Sequence, residues 1–542
     1  MPVTRRDFLA ATAAAGAGVL LAPRAAAAAD SRIEVLLNET IGTIAPEIQG
    51  HFVEHLGGVV YDGIWVSESS KVPNDGGIRR ALVEHLKKIK APLIRWPGGC
   101  FADSYDWQDG VGARADRPSR TNFWWDAKVP DGPQKWEPNA FGTSEFLRFC
   151  QLVGAQPYVA ANVRSLPALS LAHWVEYCNA PAGSTTLAKL RGGEPFKVRY
   201  WGVGNESWGC GGNFTPEEYA TEYRRYTAWV PGYGVPLQFI GAGPSSGDVE
   251  WTREFFRALT GRDRNLINML HGWALHHYSW NVSQGRTTDW DAGKGDALNF
   301  PPEEWYELLR EGDKMESLIT NHWAAMAVHD PTHKVKLVVD EWGAWYRPGT
   351  ELVPRHQLGQ QSTIRDAVLA GLTLDTFYRH ADKVSAAAVA QLVNCLHALF
   401  LADGDRFITT PTYHVFAMHA DHQGAQSLRT LVSAPRISHQ RAGQPASFWG
   451  LQGSASLRDK RVVVTMVNPA LSEPRETEIV VRGANVTQAR WSQITASEMN
   501  AHNTFEQPDV VRPTSGDARV SGGTVVHTVA PKSVTKIELM LA

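Results

Sequence analysis

The sequence predicts an α/β chain built as a (β/α)8 TIM barrel with a C-terminal all-β sandwich domain. Three observations lead there. Eight short apolar runs alternate with longer amphipathic stretches between residues 46 and 394, the strand-and-helix rhythm of a barrel. From residue 447 the rhythm changes to short β-type runs separated by Asn-Pro, Arg-Gly-Ala-Asn and Ser-Gly-Gly turns, which suits a sandwich. At 542 residues the chain also exceeds what one hydrophobic core usually serves, so two or more domains are expected. A doubly wound sheet is the alternative for the first part, but no G-x-G-x-x-G follows the first strand.

Taken in order, residues 1–29 read as a twin-arginine-type signal peptide. Arg5-Arg6 precede Phe8-Leu9 and an alanine-rich run, and the small residues from Ala25 to Ala29 offer a cleavage site. That run is broken by Gly16 and Gly18 and falls short of the roughly 20 apolar residues a bilayer requires. The expectation is export to a periplasmic or extracellular location, with no stable membrane anchor. Residues 30–45 hold a strand at 32–37 expected to join the sandwich. The barrel is expected over 46–400, with strands at 44–52, 92–96, 157–162, 198–203, 237–242, 272–278, 336–339 and 384–390. Helical patterns fall between them at 78–90, 144–153, 216–229, 250–259, 305–327 and 361–380. The helix at Pro216 has a capping box: Thr215 caps it, Pro216 suits its first position and Glu218 reaches back. The sandwich is expected over 401–542, with strands at 461–467, 477–481 and 534–541.

Composition narrows the function classes. A net charge of -3 with no basic stripe argues against a nucleic-acid partner. Twenty tryptophans are many; indole faces stack on the C–H faces of sugars, although core packing is expected to account for more than half of them. Five cysteines without C-x-x-C spacing exclude a zinc ribbon or a disulfide scaffold. Their odd number leaves at least one thiol unpaired, and Cys150 and Cys178, on amphipathic helical patterns, are expected to be buried.

The polar residues near the C-terminal ends of the strands carry the chemistry, because those ends share one rim in a barrel. They are Glu54, Arg95, Asn205 with Glu206, His276 with Tyr278, and Glu341. Two carboxyl groups at one rim are the minimum set for glycoside hydrolysis: one neutral to protonate the leaving oxygen, one ionised to attack the anomeric carbon. Their repulsion pushes their proton affinities apart. Asn205 can hydrogen-bond a substrate hydroxyl, and Arg95 can hold a carboxylate ionised or simply pair one in the core. His276 and His277 are neighbours on a strand and point to opposite faces, so they do not chelate a metal together. The turn Pro97-Gly98-Gly99 lets backbone come close to a ligand, or is plain punctuation.

These segments resemble glycoside hydrolase family 51, the α-L-arabinofuranosidases. The matching stretches include Gly50-His51-Phe52-Val53-Glu54-His55-Leu56-Gly57, Ile94-Arg95-Trp96-Pro97-Gly98-Gly99-Cys100-Phe101, Trp201-Gly202-Val203-Gly204-Asn205-Glu206, Leu275-His276-His277-Tyr278 and Val339-Asp340-Glu341-Trp342. Ala390-Gln391-Leu392-Val393-Asn394 and Asn500-Ala501-His502-Asn503-Thr504-Phe505 follow in the same order. The resemblance implies Glu206 as acid/base on the fourth barrel strand and Glu341 as nucleophile on the seventh. It implies Glu54, Arg95, Cys100, Asn205, His276, Tyr278 and Gln391 around the terminal arabinose, no metal or cofactor, and often a hexamer or other homo-oligomer. The expected activity is retaining exo-hydrolysis of terminal α-L-arabinofuranosyl groups from hemicellulose or arabino-oligosaccharides. Alternatives are an endo-β-1,4-glucanase, a xylosidase or another furanosidase on the same fold, or a non-catalytic carbohydrate-binding protein. Cys100 stands where some members carry asparagine, and Asn162-Val163-Arg164-Ser165-Leu166-Pro167 lacks the glycines expected there. Cys100 and Cys210 both follow strands that bear site residues, so they are expected to lie close together.

Overall fold

The computed structural model describes residues 29–124, 136–261, 266–283, 287–351, 353–354 and 356–542. Residues 1–28 of the expected signal lie outside the described residues. Eight parallel strands close a barrel: β2 (Gly50–Phe52), β3 (Leu93–Trp96), β4 (Gln156–Ala161), β5 (Tyr200–Val203), β6 (Gln238–Gly241), β7 (Gly272–Ser279), β8 (Lys336–Ala344) and β9 (Val384–Val389). Each is followed by a helix: α1 (Arg80–Lys88), α2 (Thr143–Val153), α3 (Ala168–Asn179), α4 (Pro216–Thr227), α5 (Val249–Thr260), α6 (Pro302–Ala327), α7 (Ile364–Arg379) and α8 (Pro411–His419). The Thr215 capping box forms as its spacing requires: Thr215 Oγ1 accepts from the Glu218 amide at 3.3 Å, and Glu218 returns the bond at 2.8 Å.

Two strands differ from the sequence reading in a way that shapes the site. The first is not extended over 44–52: Pro46 starts a 3-10 turn (Pro46–Gln49), because its ring fixes φ and removes a donor, and only Gly50–Phe52 pairs. The seventh is longer, so Glu341 sits inside β8 rather than beyond it. Between β7 and β8 the register slips, with Ala274 opposite Val338 but His276 opposite Glu341. Such a bulge suspends the strict alternation of faces. Adjacent Asp340 and Glu341 therefore both reach Arg95.

The C-terminal sandwich is one ten-stranded sheet curled around its own apolar core. Its strands are β10 (Gln426–Ser433), β11 (Gln452–Arg458), β12 (Arg461–Asn468), β13 (Arg475–Arg482), β14 (Val486–Ile494), β15 (Thr514–Asp517), β16 (Arg519–Ser521), β17 (Thr524–Val529) and β18 (Ser533–Leu541), with β1 (Ser31–Thr43) added from the N-terminal side. The order is β15-β14-β18-β12-β11-β10-β1-β13-β17-β16. β1 runs antiparallel to β10 and parallel to β13, and its alternate residues Ile33 and Val35 enter the core with Val464 and Ile537. Helix α7 is buried between barrel and sheet. A Cβ on its Gly371 would come within 2.8 Å of Val534, so glycine permits that approach.

Among the described residues nine tryptophans are buried, Trp96, Trp201, Trp273 and Trp342 among the deepest. Another five, Trp124, Trp208, Trp280, Trp290 and Trp345, line the cavities described below. Cys150 and Cys178 are buried thiols on α2 and α3. Among the described residues no helix is long and apolar enough to cross a membrane.

Candidate active site

The carboxylates of Glu206 and Glu341 meet at the barrel rim. Single oxygens of Glu206 and Glu341, together with a ring nitrogen of His276, all lie within 4.8 Å of one another. A cavity of about 250 Å³ opens over them, bordered also by Glu54, Cys100, Asn205, Tyr278 and Gln391. A second cavity of about 430 Å³ continues from Glu206, His276 and Tyr278 toward Trp208, Trp280 and Trp290. A larger space of about 520 Å³ lies against the curled sheet, lined by Lys90, Asp421, Arg458 and Arg461. Of its two acids, Asp459 and Asp421, the latter is tied up by Arg461 and Lys536, so size alone does not mark the site.

Arg95 lies beneath the smaller cavity and organises its floor. Its Nη1 bonds Glu341 Oε1 at 2.8 Å, Nη2 donates to Asn205 Oδ1 at 2.6 Å, and Nε lies 3.2 Å from Asp340. The bond to Oδ1 fixes the Asn205 amide, turning its NH2 toward Cys210 Sγ at 3.8 Å. Glu341 Oε2 accepts from the Tyr278 hydroxyl at 2.9 Å and lies 3.5 Å from His276. Burial, with the charge of Glu206, raises the Glu341 carboxyl above its ordinary value, while His276, Arg95 and the hydrogen bond from Arg95 oppose this.

His276 links three acids. Its Nδ1 is 2.9 Å from Glu206 Oε1 and its Nε2 is 3.2 Å from Asp340 Oδ1. Burial alone would lower its pKa, but Glu341, Asp340 and Glu206 together carry it up to about 10. It is therefore an imidazolium at neutral pH, with both nitrogens donating. Burial likewise opposes ionisation of Asp340, yet Arg95, His276 and the Tyr158 hydroxyl hold it below the ordinary carboxylate value. Arg95 and this imidazolium supply the positive charge that balances the three acids.

Glu54 forms the opposite wall. Its backbone amide donates to Gln391 Oε1, while its carboxyl accepts from Gln391 Nε2 and from the Phe101 amide, each at 3.1 Å. Gly98 and Gly99 admit this side chain: a Cβ on Gly98 would come within 2.7 Å of its Cγ, and one on Gly99 within 2.8 Å of its carboxyl oxygens. The close approach of that turn is thus to Glu54. Burial, then the Glu341 charge, push the Glu54 carboxyl up to about 7. The folded chain then holds a proton that the unfolded chain releases near 4.5. Stability from this group is present in full below about pH 4.5 and is lost as pH rises through about 7. Glu54→Gln, read as melting temperature against pH, is expected to flatten the decline over that window; an unchanged slope would contradict it.

Sequence reasoning missed Asp103 and Asp340. Asp103 is buried and accepts from the amides of Val163 at 2.7 Å, Arg164 at 3.1 Å and Asn205 at 2.9 Å. It thereby ties together the loops after β3, β4 and β5, the second of which has no glycine from Asn162 to Pro167. Its only signal in the sequence is an acid three residues past Cys100 in an apolar stretch. Asp340 was visible as a second acid beside Glu341, but its inward turn needs the bulge. Glu206 itself has φ of 41°, a left-handed backbone that costs a non-glycine residue roughly 1 kcal/mol. Its carbonyl accepts from Gly209 and Gly211, and a Cβ on Gly211 would fall 1.7 Å from the Asn205 carbonyl oxygen. Gly211→Ala is expected to lower the melting temperature by about 5 °C and activity at least about tenfold, since the loop must shift to admit the methyl. Wild-type values in both measurements would contradict this.

Cys100 and Cys210, expected to be close, are joined as a disulfide. Cys210 Sγ lies 3.6 Å and Cys100 Sγ 4.0 Å from Glu206 Oε2.

Comparison with known proteins agrees with this geometry. Residues 85–292 match the family described as "Alpha-L-arabinofuranosidase 1 domain", and 340–533 the "Alpha-L-arabinofuranosidase C-terminal domain". The chain is 35% identical over 504 residues to an intracellular exo-alpha-L-arabinofuranosidase of Bacteroides ovatus, covering 92% of this chain and 93% of that one. It is 27% identical to intracellular exo-alpha-(1->5)-L-arabinofuranosidase 1 of Bacillus subtilis, over 92% and 97% of the two chains. The crystal structure of the GH51 arabinofuranosidase from Xanthomonas axonopodis pv. citri superposes with TM-score 0.86 at 36% identity, covering 94% of this chain and all of that one. The names of the relatives also correct the expectation of export: both are called intracellular, so the paired arginines and alanine-rich run do not establish a secreted enzyme. Two domain matches, a relative sharing over a third of its residues along nearly the whole length, and a superposable barrel and sheet place the chain in glycoside hydrolase family 51, the α-L-arabinofuranosidases.

Proposed function

We propose that the chain is a retaining exo-α-L-arabinofuranosidase in which Glu341 is the nucleophile and Glu206 the acid/base. One observation carries the reading: the two carboxylates bring oxygens within 4.8 Å across a cavity sized for one sugar ring. A retaining mechanism needs its two carboxyl groups close, near about 5–5.5 Å, and facing oxygens within 4.8 Å are compatible with that requirement.

The two roles follow from the surroundings. Glu341 receives Arg95 and Tyr278 and is only 6% exposed, a carboxyl aimed and held in place by fixed donors. The Glu206 side chain is 20% exposed, so it can exchange protons with solvent. His276 occupies its Oε1, leaving Oε2 to carry the proton that departs with the leaving group. In the first step Glu341 forms a bond to the anomeric carbon as the glycosidic bond breaks, and Glu206 protonates the departing oxygen. In the second, Glu206 takes a proton from water, whose oxygen displaces Glu341 and restores the original anomeric configuration. Asn205 and Glu54 flank the ring and hydrogen-bond its hydroxyls. The adjoining cavity, with Trp208, Trp280 and Trp290, receives the leaving group.

The relatives named above support the substrate: an arabinose-containing glycan, attacked at its non-reducing end. Product analysis over aryl furanosides and pyranosides and linear arabino-oligosaccharides tests it. The expected result is L-arabinose released singly, with aryl α-L-arabinofuranoside preferred by at least about 100-fold over aryl xyloside or galactofuranoside. Internal cleavage, or a preference for a pyranoside, would overturn the assignment.

A further inference from the structure

We infer that the Cys100–Cys210 disulfide is a positioning element for Glu206, and that opening it slows departure of poor leaving groups specifically. The inference rests on the acid/base reading of Glu206.

The disulfide does not sit where a general staple would. It joins the loop after β3 to the loop after β5, 110 residues apart in sequence, and Cys100 borders the smaller cavity. Both sulfurs face a single atom, Glu206 Oε2, at 3.6 and 4.0 Å. Sulfur in a disulfide carries no hydrogen, so neither donates. The two oxygens of Glu206 are thereby made unlike: Oε1 accepts from His276, and Oε2 faces a polarisable wall without a donor. A proton on Oε2 has no competitor there. The disulfide also restrains the loop that follows Glu206, whose backbone is held in a left-handed conformation.

Reduction by a dithiol changes both features. Two electrons and two protons pass to the sulfurs, the S–S bond breaks, two thiols form, and the dithiol closes into its own cyclic disulfide. The Cys210 thiol can then donate to Oε2 from the distance already present. A donor at that oxygen favours the carboxylate and opposes the proton that the leaving group needs. Loss of the covalent tie also frees the loop. Both effects act on proton delivery and leave Arg95, Tyr278 and Glu341 as they are.

The test uses full-length enzyme, oxidised or treated with dithiothreitol, with thiols counted after denaturation. Three thiols (Cys150, Cys178 and Cys395) mark the oxidised form, and all five cysteines the reduced one. Reduction is expected to lower kcat/KM on an unactivated arabino-oligosaccharide about tenfold while changing a dinitrophenyl arabinofuranoside less than about twofold. The alkaline limb of the oligosaccharide profile should move to lower pH, and reoxidation should restore it. In Cys100→Ala/Cys210→Ala, dithiothreitol should have no effect. Equal losses on both substrates would reduce the disulfide to a structural staple, and no loss in fully reduced enzyme would remove its role altogether. Glu206→Ala separates the two readings: if it shows no leaving-group dependence, the acid/base assignment fails; if it does and reduction has no effect, only the disulfide inference fails.

Discussion

Glu341→Ala is expected to abolish turnover, lowering kcat/KM by about 10⁵-fold on activated aryl arabinofuranosides and natural oligosaccharides alike. Without the carboxylate no covalent intermediate forms, and a better leaving group cannot supply the missing bond. The fold should survive. Removing Glu341 leaves Arg95 paired with Asp340 at 3.2 Å and bonded to Asn205, so the buried guanidinium keeps partners. Circular dichroism and melting curves check that. Activity on aryl substrates within about a hundredfold of wild type would show that another group attacks the anomeric carbon.

Glu206→Ala should behave differently. The first step loses its acid, which matters little when dinitrophenolate departs and much when a sugar hydroxyl does. The expected loss is about 10³-fold on oligosaccharides, against a smaller loss on dinitrophenyl arabinofuranoside that reflects the slowed second step. Added azide needs no base to attack the intermediate, so it should accelerate aryl turnover and yield an arabinofuranosyl azide of retained configuration. Equal losses on both substrates without azide acceleration would contradict the acid/base role.

Much of the fold was legible because a barrel repeats one rhythm. β3 to β7 and β9 fall within two residues of their sequence positions, since each is an apolar run closed by a turn. Pro46 was legible in principle as a break in the first strand, but the apolar residues around it mask the interruption. The site was legible at positions where rim placement does the work, as with Glu206 following β5. It was not legible where side chains act through a bulge or across loops. Asp340 turns inward only because β8 slips against β7. Asp103 acts through three backbone amides, and backbone amides leave no trace in a sequence. The pairing of Cys100 with Cys210 depends on two loops converging, which follows from barrel closure rather than from spacing.

The division of labour between the two carboxylates is tested most directly by mapping the covalent adduct. Glu206→Ala mixed with dinitrophenyl α-L-arabinofuranoside should form its intermediate quickly and release it slowly. Acid quenching, proteolysis and mass spectrometry should then find one anhydropentose esterified to Glu341. An adduct on Glu54 or any other residue, or a stoichiometric burst of dinitrophenolate with no modified peptide, would contradict Glu341 as the nucleophile.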